Sequence, residues 1–378
     1  MAVRAIITNP VITRILIGWL AVGALIVFSP STTMAGPALA VVLAAIVAVI
    51  AFCAFGVVHQ AEHLARRLGD PYGSLVLTLS IVVIEVILIS AVMLGPGDHS
   101  TIARDSVMAV SMVIMNLVVG TALLAGGLRF GHLRLNRAGS STYLAMLIVL
   151  VAFALVLPAV LGGDGTYNPL QQAVISVMTV AVYAFFLLRQ TTVEAQNYRE
   201  PEEVPVHGEP RPGTTTRTTS ISTVLRTHRT EITTRTGVLL VTALPIVLLS
   251  HHMAALLDEG LARLGAPVAL AGLLIAMIVF LPEGITAVRA GWNGEAQRVM
   301  NLCHGALVST VGLTIPAVLT IGALTGQAVV LAETPAHILL LAVTLMLAMN
   351  TINARRITSG HGAVLLTVFV TYVLTIFA

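Results

Sequence analysis

Eleven long stretches of this sequence contain almost no charged residues, and each is long enough to cross a lipid bilayer. A helix needs about 20 mainly apolar residues to span the hydrocarbon core. The chain is 57% hydrophobic and only 10% charged, whereas soluble domains are about 25% charged. A spanning segment must satisfy its backbone hydrogen bonds internally, so we predict an all-α integral membrane protein with eleven transmembrane helices. The stretches lie at about 12–29, 37–58, 72–95, 105–128, 141–161, 170–188, 237–257, 267–289, 299–324, 335–353 and 360–377.

The distribution of basic residues predicts the orientation of these helices. All 20 basic residues are arginines. With a cytoplasmic N-terminus, 18 of them lie on the cytoplasmic side and 2, Arg104 and Arg263, lie on the opposite side. This asymmetry is what the positive-inside rule requires. We therefore expect a multi-pass protein of the bacterial cytoplasmic (inner) membrane, with its N-terminus in the cytoplasm and its C-terminus outside.

One long hydrophilic segment, residues 190–236, divides the chain. Its acidic first half and its threonine- and arginine-rich second half are typical of a disordered linker, or of a regulatory segment that attracts cations or anionic lipid headgroups. An odd number of helices in each half forces the halves into opposite orientations, as in many secondary transporters. We predict an N-terminal helix over 1–35, a first five-helix repeat over 36–189 and a second, inverted repeat over 237–378.

Two acidic residues lie deep inside apolar stretches, Glu85 and Glu283, each in the second helix of its half. A charge at the centre of a bilayer costs about 2.5–3.5 kcal/mol on insertion scales. A protonated glutamate hydrogen-bonded between helices would explain one such residue, but equivalent positions in both halves favour a paired site near the midplane. Calcium prefers oxygen ligands, several of them anionic. We therefore predict that Glu85 and Glu283 bind a metal cation, Ca²⁺, and couple its movement to protons.

Several neighbours could complete such a site. Ser74 and Thr78 share a helical stripe with Glu85, which could line a wetted path. Pro282 removes a backbone donor and, with Gly284, should loosen the helix beside the second glutamate and free carbonyl ligands.

Asn116 and Ser309 are the next candidate cation ligands, because they are polar residues at similar depths in the third helices of the two halves. Ser309 also shares a small-residue face with Gly305 and Gly312, so helix packing is an equally good explanation for it. His304 on the same helix could relay protons or form a hydrogen bond between helices.

A short motif suggests a different class of function. His59, Glu62 and His63 form an H-x-x-E-H pattern, which occurs in metalloproteases. The motif falls where the second helix leaves the membrane, beside Arg66 and Arg67, and an amphipathic turn at the interface explains it as well. An intramembrane metalloenzyme would need a third ligand at the same depth, and no nearby acidic residue is an obvious candidate.

Four runs of the sequence closely resemble the bacterial calcium/proton antiporters of the cation/proton exchanger branch of the Ca²⁺/cation antiporter superfamily. The resemblance implies one extra N-terminal helix followed by two inverted five-helix repeats. It also implies that Glu85 and Glu283 are the paired cation and proton carboxylates, with Asn116 and Ser309 at the family's polar positions. The runs are GSLVLTLSIVVIEVILIS (73–90), ARDSVMAVSMVIMNLVVGTALLAGGLR (103–129), LPEGITAVRAG (281–291) and MNLCHGALVSTVGLTIPAVLTIG (300–322).

The sequence also departs from that family. Eukaryotic members carry Gly-Asn shortly before each acidic residue, where this chain has Val82, Val83, Phe280 and Leu281, and Gly284 replaces a histidine that often follows the second glutamate. These changes remove oxygen ligands and bear on which ion is selected.

Taken together, these features predict a secondary active transporter that exchanges Ca²⁺ for H⁺ by alternating access. It would be no enzyme, would need no cofactor, and would have the lipid bilayer, inorganic cations and protons, but no nucleic acid, as its partners. Antiport of Na⁺ (or K⁺) and H⁺ on the same scaffold is the alternative.

Overall fold

The computed structural model describes residues 6, 8–28, 34–68, 100–161, 163–201, 227–267 and 269–377, together with eight single positions between 79 and 93. Within these residues the regular structure is helical, apart from an isolated antiparallel bridge between Leu133 and Ile357. The main helices are α1 (Asn9–Phe28), α2 (Gly36–Leu68), α3 (Ile102–Phe130), α4 (Arg137–Leu161), α5 (Pro169–Thr191), α6 (Arg229–Arg263), α7 (Ala269–Val279), α8 (Leu281–Trp292), α9 (Ala296–Thr325), α10 (Pro335–Asn353) and α11 (Ser359–Ile376).

Nine helices in the described part of the chain are long and apolar enough to cross a membrane, and the bent pair α7 and α8 makes a tenth candidate if it crosses as one broken span. The prediction of an all-α membrane protein is therefore confirmed. The third predicted span, 72–95, lies largely outside the described residues. Its eight described positions are helical, and we call them the Glu85 segment. The count of eleven spans and the division into two inverted repeats remain predictions.

Local sequence signals set several helix ends. The side chain of Asn168 accepts a hydrogen bond from the backbone N–H of Gln171, and the side chain of Gln171 accepts one from the backbone N–H of Asn168, so α5 begins with a capping box, with Pro169 as its first residue. Thr334 and Pro335 start α10 in a similar way. Gly326 ends α9 in the left-handed region, at a φ of 73°, which glycine adopts without a steric penalty.

Two helices continue well beyond the apolar stretches that predicted them. Helix α2 runs on to Leu68, and α6 begins at Arg229, inside the segment predicted as loop. Hydropathy detects only the part of a helix that lies in the hydrocarbon region, so polar helical extensions give no such signal.

The start of the predicted loop is also ordered, which corrects the interpretation of the whole segment as a disordered linker. Residues 195–200, the docked segment, begin with a 3₁₀ turn over Ala195–Tyr198. The Tyr198 ring packs edge-on against the ring of Tyr143 on α4, with the centroids 5.1 Å apart. The backbone carbonyl oxygen of Tyr198 accepts a hydrogen bond of 2.6 Å from the side chain of Asn301 on α9. The docked segment therefore ties the end of α5 to α4 and α9.

Helices α3 and α9 are the most buried spans in the described part of the chain. Glycines bring α3 into backbone contact with its neighbours: Gly126 and Ala122 lie against Gly291 of α8, and Gly120 lies against Gly362 of α11. Close approach of small residues is how membrane helices gain packing energy without a hydrophobic driving force. These contacts fix α8, which carries Glu283, against α3.

The α7–α8 pair bends by 61° between Ala269–Ile278 and Glu283–Trp292. Pro282 has no amide hydrogen, so the carbonyl oxygen of Ile278 loses its usual partner one turn earlier. The predicted loosening of the helix beside Glu283 is confirmed by this bend.

Candidate cation site

Glu85 is 3% exposed in the described positions of its segment. Its Oε2 accepts a hydrogen bond of 2.7 Å from the hydroxyl of Thr310 on α9. Its Oε1 is buried and has no hydrogen-bond partner among the described residues. One carboxylate oxygen is thus oriented by the protein, and the other remains available to a ligand.

Glu283 lies in the first turn of α8, directly after the bend, and is 6% exposed. Neither of its carboxylate oxygens has a hydrogen-bond partner in the described part of the chain, although both are buried. The partial positive charge of a helix N-terminus favours a carboxylate here, but it does not replace the lost hydration. Among the described residues, neither this carboxylate nor that of Glu85 forms an ion pair.

Each carboxylate lines its own cavity. The Glu85 cavity is lined by Glu85, Ile89, Ser106, Val110, Gly272, Ile275, Ala276 and Phe280. The Glu283 cavity is lined by Ile114, Val118, Phe280, Glu283, Gly284, Leu302, Cys303 and Ala306. The two linings share Phe280. The two predicted acidic residues therefore lie in adjacent cavities that meet at one aromatic side chain.

Asn116 is fully buried on a π-helical turn, Val113–Val118, within α3. Its amide donates a hydrogen bond of 2.9 Å to the hydroxyl of Thr344 on α10. π-Turns inside helices are frequent at functional sites. The side chain nevertheless belongs to neither cavity lining in this conformation.

Ser309 is 5% exposed, and its hydroxyl accepts a hydrogen bond of 2.9 Å from Tyr183 of α5. Gly305 and Gly312, the glycines on the same face, do not bring the α9 backbone into contact with the backbone of another described helix. Gly305 instead makes room for the Tyr143 ring, and Gly312 makes room for the Tyr183 ring. In this conformation the serine therefore contributes to helix packing and lines neither cavity.

Thr310 and Thr314, which are both fully buried on α9, were not among the residues predicted from the sequence. Thr310 binds Glu85, whereas the hydroxyl of Thr314, one turn further on, has no partner among the described residues. Spacings of three and four residues place both threonines on one stripe with Cys303 and Ala306. That shared stripe is the sequence feature that could have identified the two threonines as candidates.

The remaining sequence candidates contribute less to this site. His304 is 1% exposed, and its Nδ1 has no hydrogen-bond partner within the described part of the chain. Its ring centroid lies 6.3 Å from that of Tyr143. Ser74 and Thr78 fall outside the described residues.

The H-x-x-E-H motif lies near the end of α2. The rings of His59 and His63 stack edge-on with centroids 4.7 Å apart. Between them, the side chain of Gln60 accepts a hydrogen bond of 3.0 Å from Arg235 of α6. The side chain of Glu62 lies outside the described residues, and the described histidine, cysteine and acidic side chains form no group of three that could bind a metal.

Comparison with known proteins gives a consistent family match. The model of the sodium/calcium exchanger protein family matches residues 38–192 and 234–378. The sodium-potassium/proton antiporter ChaA of Escherichia coli (strain K12) is 32% identical over 326 residues, which is 86% of each protein.

The fold is similar to those of solved exchangers. The H⁺/Ca²⁺ exchanger CAX superposes with a TM-score of 0.68 at 15% identity, over 97% of this chain and 89% of that one. The Ca²⁺/H⁺ antiporter protein YfkE superposes with a TM-score of 0.66 at 14% identity, over 99% of both chains. At these identities the likeness concerns the fold alone.

Proposed function

The chain belongs to the sodium/calcium exchanger protein family, and on that premise we propose that it is an antiporter that exchanges Ca²⁺ for protons at Glu85 and Glu283. The observation that carries this proposal is the pair of buried carboxylates with three oxygens that lack partners among the described residues. Leaving two such groups charged in a bilayer costs about 2.5–3.5 kcal/mol each on insertion scales. One divalent cation, or a proton on each carboxylate, removes that cost.

Coupling follows from this charge balance. The pair is neutral when it holds one Ca²⁺ or two protons, and it carries two negative charges when empty. An empty site therefore resists the conformational change that exposes it to the other side, because that change would move uncompensated charge through a low-dielectric region. The two loaded forms cross and the empty form does not, which gives exchange rather than leakage.

The remaining ligands of Ca²⁺ would come from nearby oxygens and water. Thr310 already contacts Glu85, and the bend at Pro282 leaves the Ile278 carbonyl oxygen without its usual helical partner. Asn116 and Ser309 would join the site only after leaving Thr344 and Tyr183, in another conformation of the exchange cycle. We place the protein in the inner membrane of a bacterium with its N-terminus in the cytoplasm, as the arginine distribution predicts.

Exchange of Na⁺ or K⁺ for protons is the second candidate, and two observations favour it. The Escherichia coli relative carries the name sodium-potassium/proton antiporter. In addition, the cavity linings are mostly apolar, which suits a monovalent ion, because it carries half the charge of Ca²⁺ and needs fewer anionic ligands. The pair of carboxylates favours the divalent ion.

Transport in proteoliposomes tests the proposal and separates the candidates. The purified full-length chain is reconstituted, a pH gradient is imposed, and ⁴⁵Ca²⁺ uptake is measured with Na⁺ and K⁺ as competitors. We expect gradient-driven uptake that is lost in both Glu85→Gln and Glu283→Gln. Uptake of ²²Na⁺ or ⁸⁶Rb⁺ without Ca²⁺ uptake would identify the second candidate.

Glu259→Gln is the matched control, because Glu259 pairs with Arg263 near the end of α6, away from both cavities. It should transport like the wild type. Normal exchange by both site variants would defeat the proposed function.

A further inference from the structure

Phe280 occupies the break between α7 and α8 and is only 2% exposed. Its backbone N–H donates to the carbonyl oxygen of Ala276 at 3.0 Å, and its own carbonyl oxygen accepts from Gly284 at 2.8 Å. These bonds anchor the residue to both half-helices across the bend. The next residue, Leu281, is 41% exposed, so the chain turns one large side chain inward and its neighbour outward.

The two cavities are stacked along α3. Ser106 and Val110 line the Glu85 cavity, whereas Ile114 and Val118 line the Glu283 cavity. Val110 and Ile114 are one helical turn apart, about 6 Å along the axis. The boundary between the cavities therefore lies within that turn, at the level of the Phe280 side chain.

The residues that α7 and α8 contribute to the linings show the same stacking of the two cavities. Gly272 and Ala276 on α7 line the first cavity, and Glu283 and Gly284 on α8 line the second. Among the residues that line the cavities in the described structure, Phe280 is common to both. A phenyl ring offers no oxygen to a dehydrating cation, and an apolar constriction excludes water and ions.

We propose that Phe280 is the hydrophobic plug that separates the two carboxylates in this conformation, so that one cation can contact both only after the ring has moved aside. The inference rests on the proposed function for the identity of the ions. The plug prevents a continuous water path between the cavities. During exchange the α7–α8 bend must change to move the ring aside. While the ring is displaced, another part of the protein must close the water path.

A proton-leak measurement tests the plug without requiring exchange. The full-length chain is reconstituted into liposomes that contain a pH-sensitive dye and N-methylglucamine as the sole added cation, and the external pH is lowered. Removing the ring in Phe280→Ala joins the cavities, so we expect proton entry to accelerate roughly tenfold or more. Phe280→Leu, which retains a bulky apolar side chain, should leak like the wild type.

Two control variants separate the plug from a general loss of packing. Ile275→Ala and Leu302→Ala each remove a large side chain that lines only one cavity, so neither should raise the leak. Phe280→Val provides a milder truncation if the alanine variant does not fold. Leak at the wild-type level in every folded Phe280 truncation, or equal leak in the Ile275 and Leu302 variants, would overturn the plug.

Exchange measured in the same liposomes keeps the two proposals distinguishable. A wild-type protein that exchanges no cation would defeat the proposed function, whatever the leak. If Phe280→Ala exchanges cations with tight coupling and its proton leak equals that of the wild type, the plug is refuted and the proposed function stands.

Discussion

Thr310 on α9 donates a hydrogen bond of 2.7 Å to Oε2 of Glu85, and this contact joins the two halves of the chain at the Glu85 cavity. It is buried on both sides: Thr310 is fully covered and Glu85 is 3% exposed. The hydroxyl therefore orients a carboxylate whose second oxygen is left for a ligand.

Replacement of Thr310 by valine keeps the shape of the side chain but removes the donor. A hydrogen bond to a charged group contributes about 1.5–3 kcal/mol, so we expect the half-saturating cation concentration to rise by roughly tenfold or more. Thr310→Ser should restore the affinity. Thr314→Val is the matched control, because the hydroxyl of Thr314 has no partner among the described residues. Equal half-saturation of the Thr310 and Thr314 variants in proteoliposome exchange would contradict this role.

The contact between Gly291 and Ala122 leaves no room for a methyl group. A Cβ at residue 291 would lie 2.8 Å from the carbonyl carbon of Ala122, within backbone that cannot easily move. Overpacking of this kind costs about 1–3 kcal/mol. We expect Gly291→Ala to lower the thermal stability of the purified protein and to slow exchange, because α8 carries Glu283.

Gly237→Ala is the control for that substitution, since a Cβ at residue 237 of α6 meets no atom of the described residues within 4 Å. Alanine should be neutral or stabilising there, because glycine is the poorer helix former. The same loss of stability in both variants would show that helix propensity, and not the contact with α3, is responsible.

The positions of the helices follow from the sequence more completely than their ends and interiors do. The stretch predicted at 299–324 corresponds to α9 over Ala296–Thr325, because hydropathy reports removal from water, whether into lipid or among other helices. The bend beside Glu283 followed from Pro282. The π-turn at Asn116 had no signal, since it depends on how α3 packs against its neighbours rather than on local propensity.

The acidic pair of the candidate site could be chosen from the sequence, but its immediate neighbours could not. Consecutive residues on a helix point about 100° apart, so choosing between Ser309 and Thr310 requires the rotation of α9 about its axis. Tertiary packing sets that rotation: the rings of Tyr143 and Tyr183 fit against Gly305 and Gly312, which turns Ser309 to Tyr183 and Thr310 to Glu85. For the same reason the sequence could not show that Phe280 lies between the cavities.

Glu333 lies in a buried charge network just before α10. Its side chain is 2% exposed, one carboxylate oxygen lies 3.9 Å from Nε of Arg104, and the other lies 2.9 Å from Nδ1 of His337. Replacement by glutamine keeps the volume but leaves the arginine with less negative charge around it. We expect a loss of roughly 1–3 kcal/mol in unfolding free energy, measured by thermal or denaturant unfolding in detergent.

An exposed pair provides the comparison for the Glu333 variant. Glu295 pairs with Arg298 at 2.9 Å, where both side chains are largely exposed. Surface pairs contribute little, so Glu295→Gln should change stability by less than about 1 kcal/mol. Equal losses of unfolding free energy in Glu333→Gln and Glu295→Gln would mean that the burial of Glu333 does not increase its contribution to stability.

Glu200 of the docked segment accepts hydrogen bonds from the backbone N–H groups of Gln297 and Arg298, at 3.2 and 3.1 Å, and so caps the start of α9. Burial raises the pKa of the Glu200 carboxyl above its ordinary value, although these hydrogen bonds oppose the shift. The folded protein therefore holds this proton more tightly than the unfolded chain does. The resulting stability is fully present below the unfolded pKa of about 4.3, and it is lost as the pH rises through the folded pKa.

We therefore expect the melting temperature of the wild type to fall relative to that of Glu200→Gln as the pH rises from the ordinary glutamate pKa into the raised range. Thermal unfolding of the purified full-length chain at a series of pH values measures this difference. Asp164→Asn is the control: hydrogen bonds from Thr166 lower the pKa of Asp164, so it titrates below this range and should leave the profile unchanged. Parallel pH profiles for the wild type and Glu200→Gln would mean that the docked segment does not contribute to the pH dependence of stability.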